Sequence, residues 1–231
     1  MKALAIDTST FVMGVSVVDG DQVLGEVITN LKKNHSIRLM PAIDELMKDT
    51  GVRPNQLERI IVAHGPGSYT GVRIGVTTAK TLAYSLGIPL VGVSSIEVLA
   101  QNGRFFNGVI SPIFDARRGQ VYTGLYGDMN GEFTNIARDQ ICLVTDWASH
   151  LNSQYENVLF LGNDISIHKE IIIEKLGDKV QFGQISDHNP RPSELARVGI
   201  AKEPTKDVHS FTPNYIRLAE AEANWLANQE K

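Results

Sequence analysis

Gly65–Gly75, GPGSYTGVRIG, is the stretch of sequence that says most about the fold. It follows Arg59–His64, an apolar run with the pattern of a buried strand, and it precedes a helical pattern from about Thr70 to Leu86. Glycine tolerates positive φ, and the free N–H groups at a helix start favour anions. Two interpretations therefore fit: a loop whose backbone docks on a phosphate or another backbone, and a turn whose glycines allow close packing.

Two common nucleotide-binding motifs do not fit this loop. It lacks the Gly-Lys-Ser/Thr ending of a P-loop. The strand predicted next, Pro89–Val93, does not end in the acidic residue that a dinucleotide-binding fold places there. The loop is therefore neither of these motifs.

The residues around the loop predict alternating strands and helices. Lys2–Ile6 is a short apolar run, and Asp19-Gly20 is a hairpin turn signal between Val12–Val18 and Gln22–Thr29. Ser36–Thr50 has apolar residues at helical spacing. With the elements on either side of the loop and the strand and helix after it, residues 1–105 predict the order βββαβαβα.

The remaining residues, 106–231, predict a second lobe in which the same order is degenerate. A helix over Ser193–Ala201 and a terminal amphipathic helix over Leu218–Gln229 follow this series, and the terminal helix is a candidate to pack back on the first lobe. The strands predicted in this half are Val109–Phe114, Gln120–Tyr126, Ile141–Val144, Val158–Leu161 and Val180–Phe182, with helices near Thr145–Leu151 and Ile165–Leu176.

Composition limits the class of protein. The 231 residues are 42% apolar, enough for one large or two small domains, and no run approaches the roughly 18 apolar residues of a membrane span. A single cysteine, Cys142, excludes an internal disulfide framework and suits a reducing cytosol. A net charge of −4 argues against a protein that grips nucleic acid by itself. We expect a cytoplasmic protein.

The motifs resemble those of one family within the actin, Hsp70 and sugar-kinase (ASKHA) superfamily. The superfamily fold is α/β with two lobes, each built on a mixed five-stranded sheet. Within it, Leu4–Thr10 (LAIDTST), Gly65–Gly75, Asp115–Tyr122 (DARRGQVY) and Pro213–Arg217 (PNYIR) resemble the TsaB (YeaZ) family. The signature residues of the loop are Gly65, Pro66, Gly67, Ser68, Thr70, Gly71 and Arg73.

The resemblance implies a function in tRNA modification. It implies a non-catalytic scaffold or activating subunit that binds TsaD and works with the ATPase TsaE. Together they transfer a threonylcarbamoyl group to N6 of the adenosine next to the tRNA anticodon. It also implies a homodimer when the chain is alone, contact with tRNA through the complex, no membrane association and no cofactor, ATP being used by the complex.

One departure from TsaD supports a chain without catalytic residues or a metal. TsaD carries an HxxxH metal pair on the helix after the strand that corresponds to Pro89–Val93. Here Ser95 and Leu99 occupy those positions, and neither can replace an imidazole ligand. The resemblance therefore implies the fold without the metal site.

The first loop leaves an enzyme function as an alternative. Asp7, Thr8, Ser9 and Thr10 occupy the place of the phosphate loop of the superfamily, but they include no glycine. They are candidates to bind nucleotide, or to satisfy the hairpin and the turn beside it. The alternatives are an ATP-dependent phosphotransferase, or a metallo-glycopeptidase, for which the sequence shows no metal site.

The remaining candidates are contact residues. His35 is a candidate helix cap or interface residue, and the basic turn Asp115, Arg117 and Arg118 is a candidate contact for tRNA phosphate or an acidic partner. The helices predicted over Ser36–Thr50 and from about Thr70 to Leu86 are expected to form the interface with TsaD or a second copy. Ala79 is expected on the outer face of the second helix. The candidate interface residues are Leu39, Ile43, Val72, Gly75, Val76, Ala79 and Ala83.

Overall fold

The computed structural model describes residues 1–216 of the chain. The first half has the predicted order of strands and helices. These elements are β1 (Lys2–Asp7), β2 (Val12–Asp19), β3 (Gln22–Asn30), α1 (His35–Thr50), β4 (Arg59–Ala63), α2 (Tyr69–Leu86), β5 (Leu90–Val93) and α3 (Ser95–Ala100).

The second half repeats the three-stranded start and continues with further helices and strands. Its elements are β6 (Val109–Asp115), β7 (Gln120–Met129), β8 (Glu132–Leu143), α4 (Val144–Gln154), β9 (Val158–Leu161), α5 (Ile165–Leu176), β10 (Val180–Phe182) and α6 (Pro192–Ala201). The predicted terminal helix Leu218–Gln229 lies outside the described residues.

The two sheets have the same topology. The first has the strand order β3-β2-β1-β4-β5, and the second has β10-β9-β6-β7-β8. In each sheet the first three strands of the chain are antiparallel neighbours. The fourth strand pairs in parallel with the first strand, and the fifth pairs in parallel with the fourth. This arrangement confirms the predicted α/β fold with two mixed five-stranded sheets. In residues 1–216, no helix has the length and apolar character needed to cross a membrane.

Strand β8 is much longer than the sequence pattern predicted. It pairs with β7 from Met129↔Glu132 to Gln120↔Leu143, with register shifts between Thr123 and Tyr126. All of its residues are half-buried or exposed because it lies at the edge of the sheet. Its first residues therefore lack the apolar run by which a buried strand is recognised, and Val144 begins α4 rather than ending the strand.

The chain returns to the first sheet after β10. Leu195 and Ala196 of α6 are buried against Ala3 and Ala5 of β1 and Ile61 of β4. The segment 203–216 then crosses the edge of the same lobe. The amide of Thr205 donates to the carbonyl of Leu90, and that of Asn214 donates to the carbonyl of His64. The division of the chain into two lobes after residue 105 stays a prediction. Helix α6 comes after that boundary in the sequence but lies on the first sheet.

A buried apolar layer joins the two lobes. Ile96 and Leu99 of α3 pack with Ile110, Phe114 and Leu161 of the second sheet, and all five are almost fully buried. A polar link lies beside this layer, because the Ser94 hydroxyl and the Tyr126 hydroxyl both donate to the carboxylate of Asp139. The lobes therefore meet through packed side chains as well as through the chain connection.

Candidate functional site

The glycine loop packs on the loop that follows β1. The amide of Ser68 donates to the carbonyl of Ser9 at 2.7 Å, and the Thr8 hydroxyl donates to the carbonyl of Gly71 at 2.7 Å. A Cβ added to Gly67 would lie 2.2 Å from the Ser9 carbonyl oxygen. These contacts correspond to the first interpretation of the glycine loop, in which its backbone lies close to another backbone.

The same contact fixes the start of α2. Ser68 caps the helix, its hydroxyl accepting a hydrogen bond from the amide of Gly71. A Cβ on Gly71 would lie 2.2 Å from the Thr8 carbonyl oxygen, and one on Gly75 would lie 2.6 Å from Thr8 Oγ1. The first turns of α2 therefore sit on the β1 loop at a distance that only glycine allows.

The residues predicted to bind nucleotide form hydrogen bonds mainly with other groups of the protein. Asp7 Oδ1 accepts hydrogen bonds from the amide (2.8 Å) and the hydroxyl (2.7 Å) of Ser9. Burial raises the pKa of the Asp7 carboxyl above its ordinary value, against the Ser9 hydrogen bonds and His35, which lower it. Asp7 Oδ2 has no hydrogen-bond partner among residues 1–216. Asp7, Thr8 and Ser9 are buried, and Thr10 is half-buried.

His35 links α1 to this loop. Its Nε2 lies 2.8 Å from the carbonyl oxygen of Thr10, to which it donates as the Nε2–H tautomer. The helix cap is Asn34, whose side chain accepts from the amide of Ser36. His35 is buried, so its contacts are with the β1 loop rather than with an exposed interface.

The second lobe faces this loop with the basic turn predicted from the sequence. Asp115 ends β6, its Oδ1 lies 3.0 Å from His168 Nε2, and its amide donates to Asp164 Oδ2 at 2.9 Å. Arg117 and Arg118 are exposed and have φ of 66° and 54°. That left-handed conformation is uncommon outside glycine, asparagine and aspartate.

The structure brings these segments together across a cleft of about 580 Å³. His168 and Asp164 were missed because they come from α5 and its preceding turn, and no local motif marks them. Arg73 lies apart from the cleft, on α2, where its guanidinium donates to the Tyr69 hydroxyl. The cleft is lined by Ser9, Thr10, Phe11, Gly67, Ser68, Tyr69 and Thr70 from the first lobe and by Phe114, Asp115, Ala116, Arg117, Tyr122, Asp164 and Ile167 from the second.

The two positions predicted to replace metal ligands have packing partners. Ser95 is fully buried, its hydroxyl accepts from the amide of Gly65 at 3.1 Å, and its own amide donates to the Gly65 carbonyl. Leu99 belongs to the apolar layer between the lobes. Across residues 1–216, no cluster of three or more His, Cys, Asp or Glu is arranged to hold a metal ion.

The residues predicted at a partner interface do not lie on the surface. All seven are buried in the first lobe, and Ala79 is 0% exposed, so its expected position on an outer face is wrong. The apolar stripe of each helix marks the face that packs on the sheet. The outer face of α1 instead exposes Ile37 (71%) and Met40 (47%), beside a groove along α2.

The two matching sheets, joined across a cleft, define the actin, Hsp70 and sugar-kinase class of folds. YeaZ from Pseudomonas aeruginosa matches with a TM-score of 0.78 at 23% identity, over 93% of this chain and 99% of that one. A ROK hexokinase from Thermus thermophilus matches with a TM-score of 0.50 at 11% identity, over 87% and 98% of the two chains. At these identities the matches show the fold alone.

Sequence comparison then shows the family. The model of the family "TsaD: tRNA N6-adenosine threonylcarbamoyltransferase" matches residues 22–225. The chain is 55% identical over 230 residues to the tRNA threonylcarbamoyladenosine biosynthesis protein TsaB of Bacillus subtilis, covering 100% of both chains. The chain therefore belongs to the TsaB family, within the larger group that the TsaD model describes, and the resemblance seen in its motifs is confirmed.

Proposed function

We propose that this chain is a non-catalytic subunit in the synthesis of threonylcarbamoyladenosine on tRNA. It binds TsaD and, with the ATPase TsaE, supports transfer of the threonylcarbamoyl group to N6 of the adenosine next to the anticodon. The name of the Bacillus subtilis relative supplies the pathway. The observation that carries the non-catalytic role is the engagement of Ser95 and Leu99 in packing, where TsaD has its metal histidines.

The surroundings of α3 support this role. Ser95 Oγ accepts a hydrogen bond from the buried amide of Gly65, and Leu99 is enclosed by apolar side chains from both lobes. The layer around Leu99 packs the two lobes directly against each other. The fold is therefore suited to holding a fixed shape for a partner.

The partner surface that we propose is the outer side of α1 and α2. Ile37 and Met40 expose apolar side chains on α1, and an exposed apolar surface of this kind is typical of a protein contact. Beside them a groove of about 500 Å³ runs along α2, lined mainly by Tyr69, Arg73 and Ile74. A helix of TsaD fits such a groove through its apolar face, and a second copy of this chain occupies it when TsaD is absent.

We propose that this chain holds no cofactor of its own. Asp7 Oδ1 and the Ser9 and Thr8 hydroxyls are bonded within the two packed loops, and the glycines of the second loop face the first loop's backbone. ATP is then used by other subunits of the complex, in the cytoplasm. The phosphotransferase alternative requires the same groups to leave these partners.

Reconstitution tests the proposal. Purified TsaD and TsaE, given ATP and threonylcarbamoyl-adenylate, should modify tRNA only when this chain is added, and the isolated chain should turn over neither ATP nor a sugar. Full modification without the chain would remove the subunit role. Phosphoryl transfer by the isolated chain would establish the enzyme alternative instead.

A further inference from the structure

Cations from both lobes surround an exposed aromatic ring at the mouth of the cleft. Phe11, immediately before β2, is 59% exposed, and Lys32 Nζ lies 5.7 Å from its ring centroid. Phe11 lines the cleft together with Arg117 of the opposite lobe. Arg118, the next residue in the chain, is exposed. A chain with a net charge of −4 thus carries a local basic surface around one exposed aromatic ring.

The acidic groups of the cleft are half-buried, whereas these cations are exposed. Asp115 and Asp164 line its second-lobe wall, and Asp115 is bound to His168. Their charges exclude phosphate from the interior of the cleft, and their oxygens accept hydrogen bonds from amino groups. A ligand matched to this arrangement has anions that stay at the mouth and a planar, hydrogen-bonding group that reaches inward.

We propose that the cleft mouth, formed by Phe11, Lys32, Arg117 and Arg118, binds single-stranded RNA. Guanidinium groups pair with phosphates, and an aromatic ring provides a stacking surface for an unpaired base. This inference rests on the proposed function, because tRNA is the substrate there and the anticodon loop supplies unpaired bases. Arg117 lines the cleft, and Arg118 follows it in the same left-handed turn.

An acidic protein surface is the competing partner for these cations. The exposed ring of Phe11 between them favours RNA, because alternation of cations with an aromatic surface matches phosphates alternating with bases. The acidic wall of the cleft would also repel an acidic peptide that entered it. We therefore propose RNA as the ligand of this surface. The experiment below would also detect binding of a protein there instead.

The experiment measures binding of a fluorescein-labelled anticodon stem–loop RNA to the full chain by anisotropy, at several low salt concentrations. The variant Arg117→Asn/Arg118→Asn removes both charges and keeps a residue type that tolerates the left-handed conformation. It should weaken binding about tenfold and make the slope of log K against log salt shallower by roughly 1.4. Lys48→Asn/Lys206→Asn removes equal charge from exposed sites elsewhere and should change the affinity little.

The stacking contact has its own pair of variants. Phe11→Ala should lower affinity for the stem–loop about tenfold, while Phe11→Tyr retains it, and neither should alter the weaker binding of a blunt RNA duplex. If the isolated wild-type chain binds too weakly, the same series is measured with TsaD present. Absence of binding by the wild type in both settings would overturn the proposal, as would equal affinity of the arginine variants.

Co-purification with TsaD separates this inference from the proposed function. The arginine variants should retain TsaD, so a loss of TsaD with unchanged RNA affinity would assign the cationic turn to a protein contact and overturn the RNA site. Failure of the wild-type chain to bind TsaD would instead remove the subunit role, and the anisotropy measured on the isolated chain would still stand.

Discussion

The hydroxyl of Thr8 donates a 2.7 Å hydrogen bond to the carbonyl oxygen of Gly71, joining two sequence motifs that lie far apart in the chain. The backbone of Thr8 also occupies the space that a side chain at position 71 would need. The two motifs thus form one packed unit that sets the position of α2. Because α2 borders the proposed partner groove, the motif acts on partner binding through the placement of a helix.

A methyl group at position 71 should disrupt this unit. In a helix, glycine to alanine ordinarily stabilises by up to about 1 kcal/mol, but here the new Cβ would lie 2.2 Å from the Thr8 carbonyl oxygen. We expect Gly71→Ala to lower the free energy of unfolding by about 1 to 3 kcal/mol, measured by urea denaturation. Gly20→Asn, at an open left-handed turn position, is the control and should change it little. Unchanged stability of Gly71→Ala would contradict the packing role.

Asp7 should make stability depend on pH in a definite direction. Burial raises the folded-state pKa of Asp7 above its ordinary value of 3.8. The contribution of Asp7 to stability is therefore greatest below pH 3.8 and is lost as pH rises through the folded-state pKa. Asp7→Asn keeps the shape and cannot ionise. The difference in unfolding free energy between Asp7→Asn and the wild type should shift in favour of the variant between pH 4 and pH 7.5.

Urea denaturation across that range checks the Asp7 prediction. Asp21→Asn, at the exposed turn between β2 and β3, is the matched control. A difference between wild type and Asp7→Asn that stays constant with pH would show that the buried carboxyl does not titrate as expected.

Ser95 should matter for stability and not for chemistry. Ser95→Ala leaves the buried amide of Gly65 without its acceptor, so we expect a loss of about 1 to 3 kcal/mol in unfolding free energy. At a temperature where the variant stays folded, tRNA modification by the reconstituted complex should be unchanged. Ser149→Ala, on the exposed side of α4, is the control. A folded Ser95→Ala variant that binds TsaD normally and yet abolishes modification would indicate a catalytic role.

The sequence predicted the fold well because its elements are short, apolar and bounded by clear turns. β1, α2 and β9 lie close to where periodicity placed them. The first part of β8 was missed because an edge strand with exposed residues has little apolar pattern. The position of α6 on the first sheet could not be predicted, since amphipathic spacing shows that a helix packs without showing which sheet it covers.

The site was predicted less completely, for a related reason. The loop motifs lie at distant points of the chain, and the structure brings Thr10 and Arg117 to one cleft. The contact between Asp115 and His168 joins distant positions and needs the parallel pairing of β6 with β9. The stripe containing Ala79 was mistaken for a partner surface because an apolar helix face more often packs on its own sheet.

The proposal that TsaD binds the outer face of α1 can be tested directly, because two apolar side chains are exposed there. We expect Ile37→Glu/Met40→Glu to fold as the wild type does, because both side chains are exposed. A charge in place of an apolar anchor typically costs about 2 kcal/mol or more, so the Kd for TsaD should rise at least roughly 30-fold. Ile185→Glu, an exposed isoleucine of the second lobe, provides the control.

The most direct measurement is the Kd of TsaD for these folded variants, taken by calorimetry alongside the rate of tRNA modification. We expect Ile37→Glu/Met40→Glu to lose TsaD binding and tRNA modification together, while Ile185→Glu retains both. Wild-type affinity for TsaD in the Ile37→Glu/Met40→Glu variant, with its fold intact, would contradict the claim that this face holds the partner.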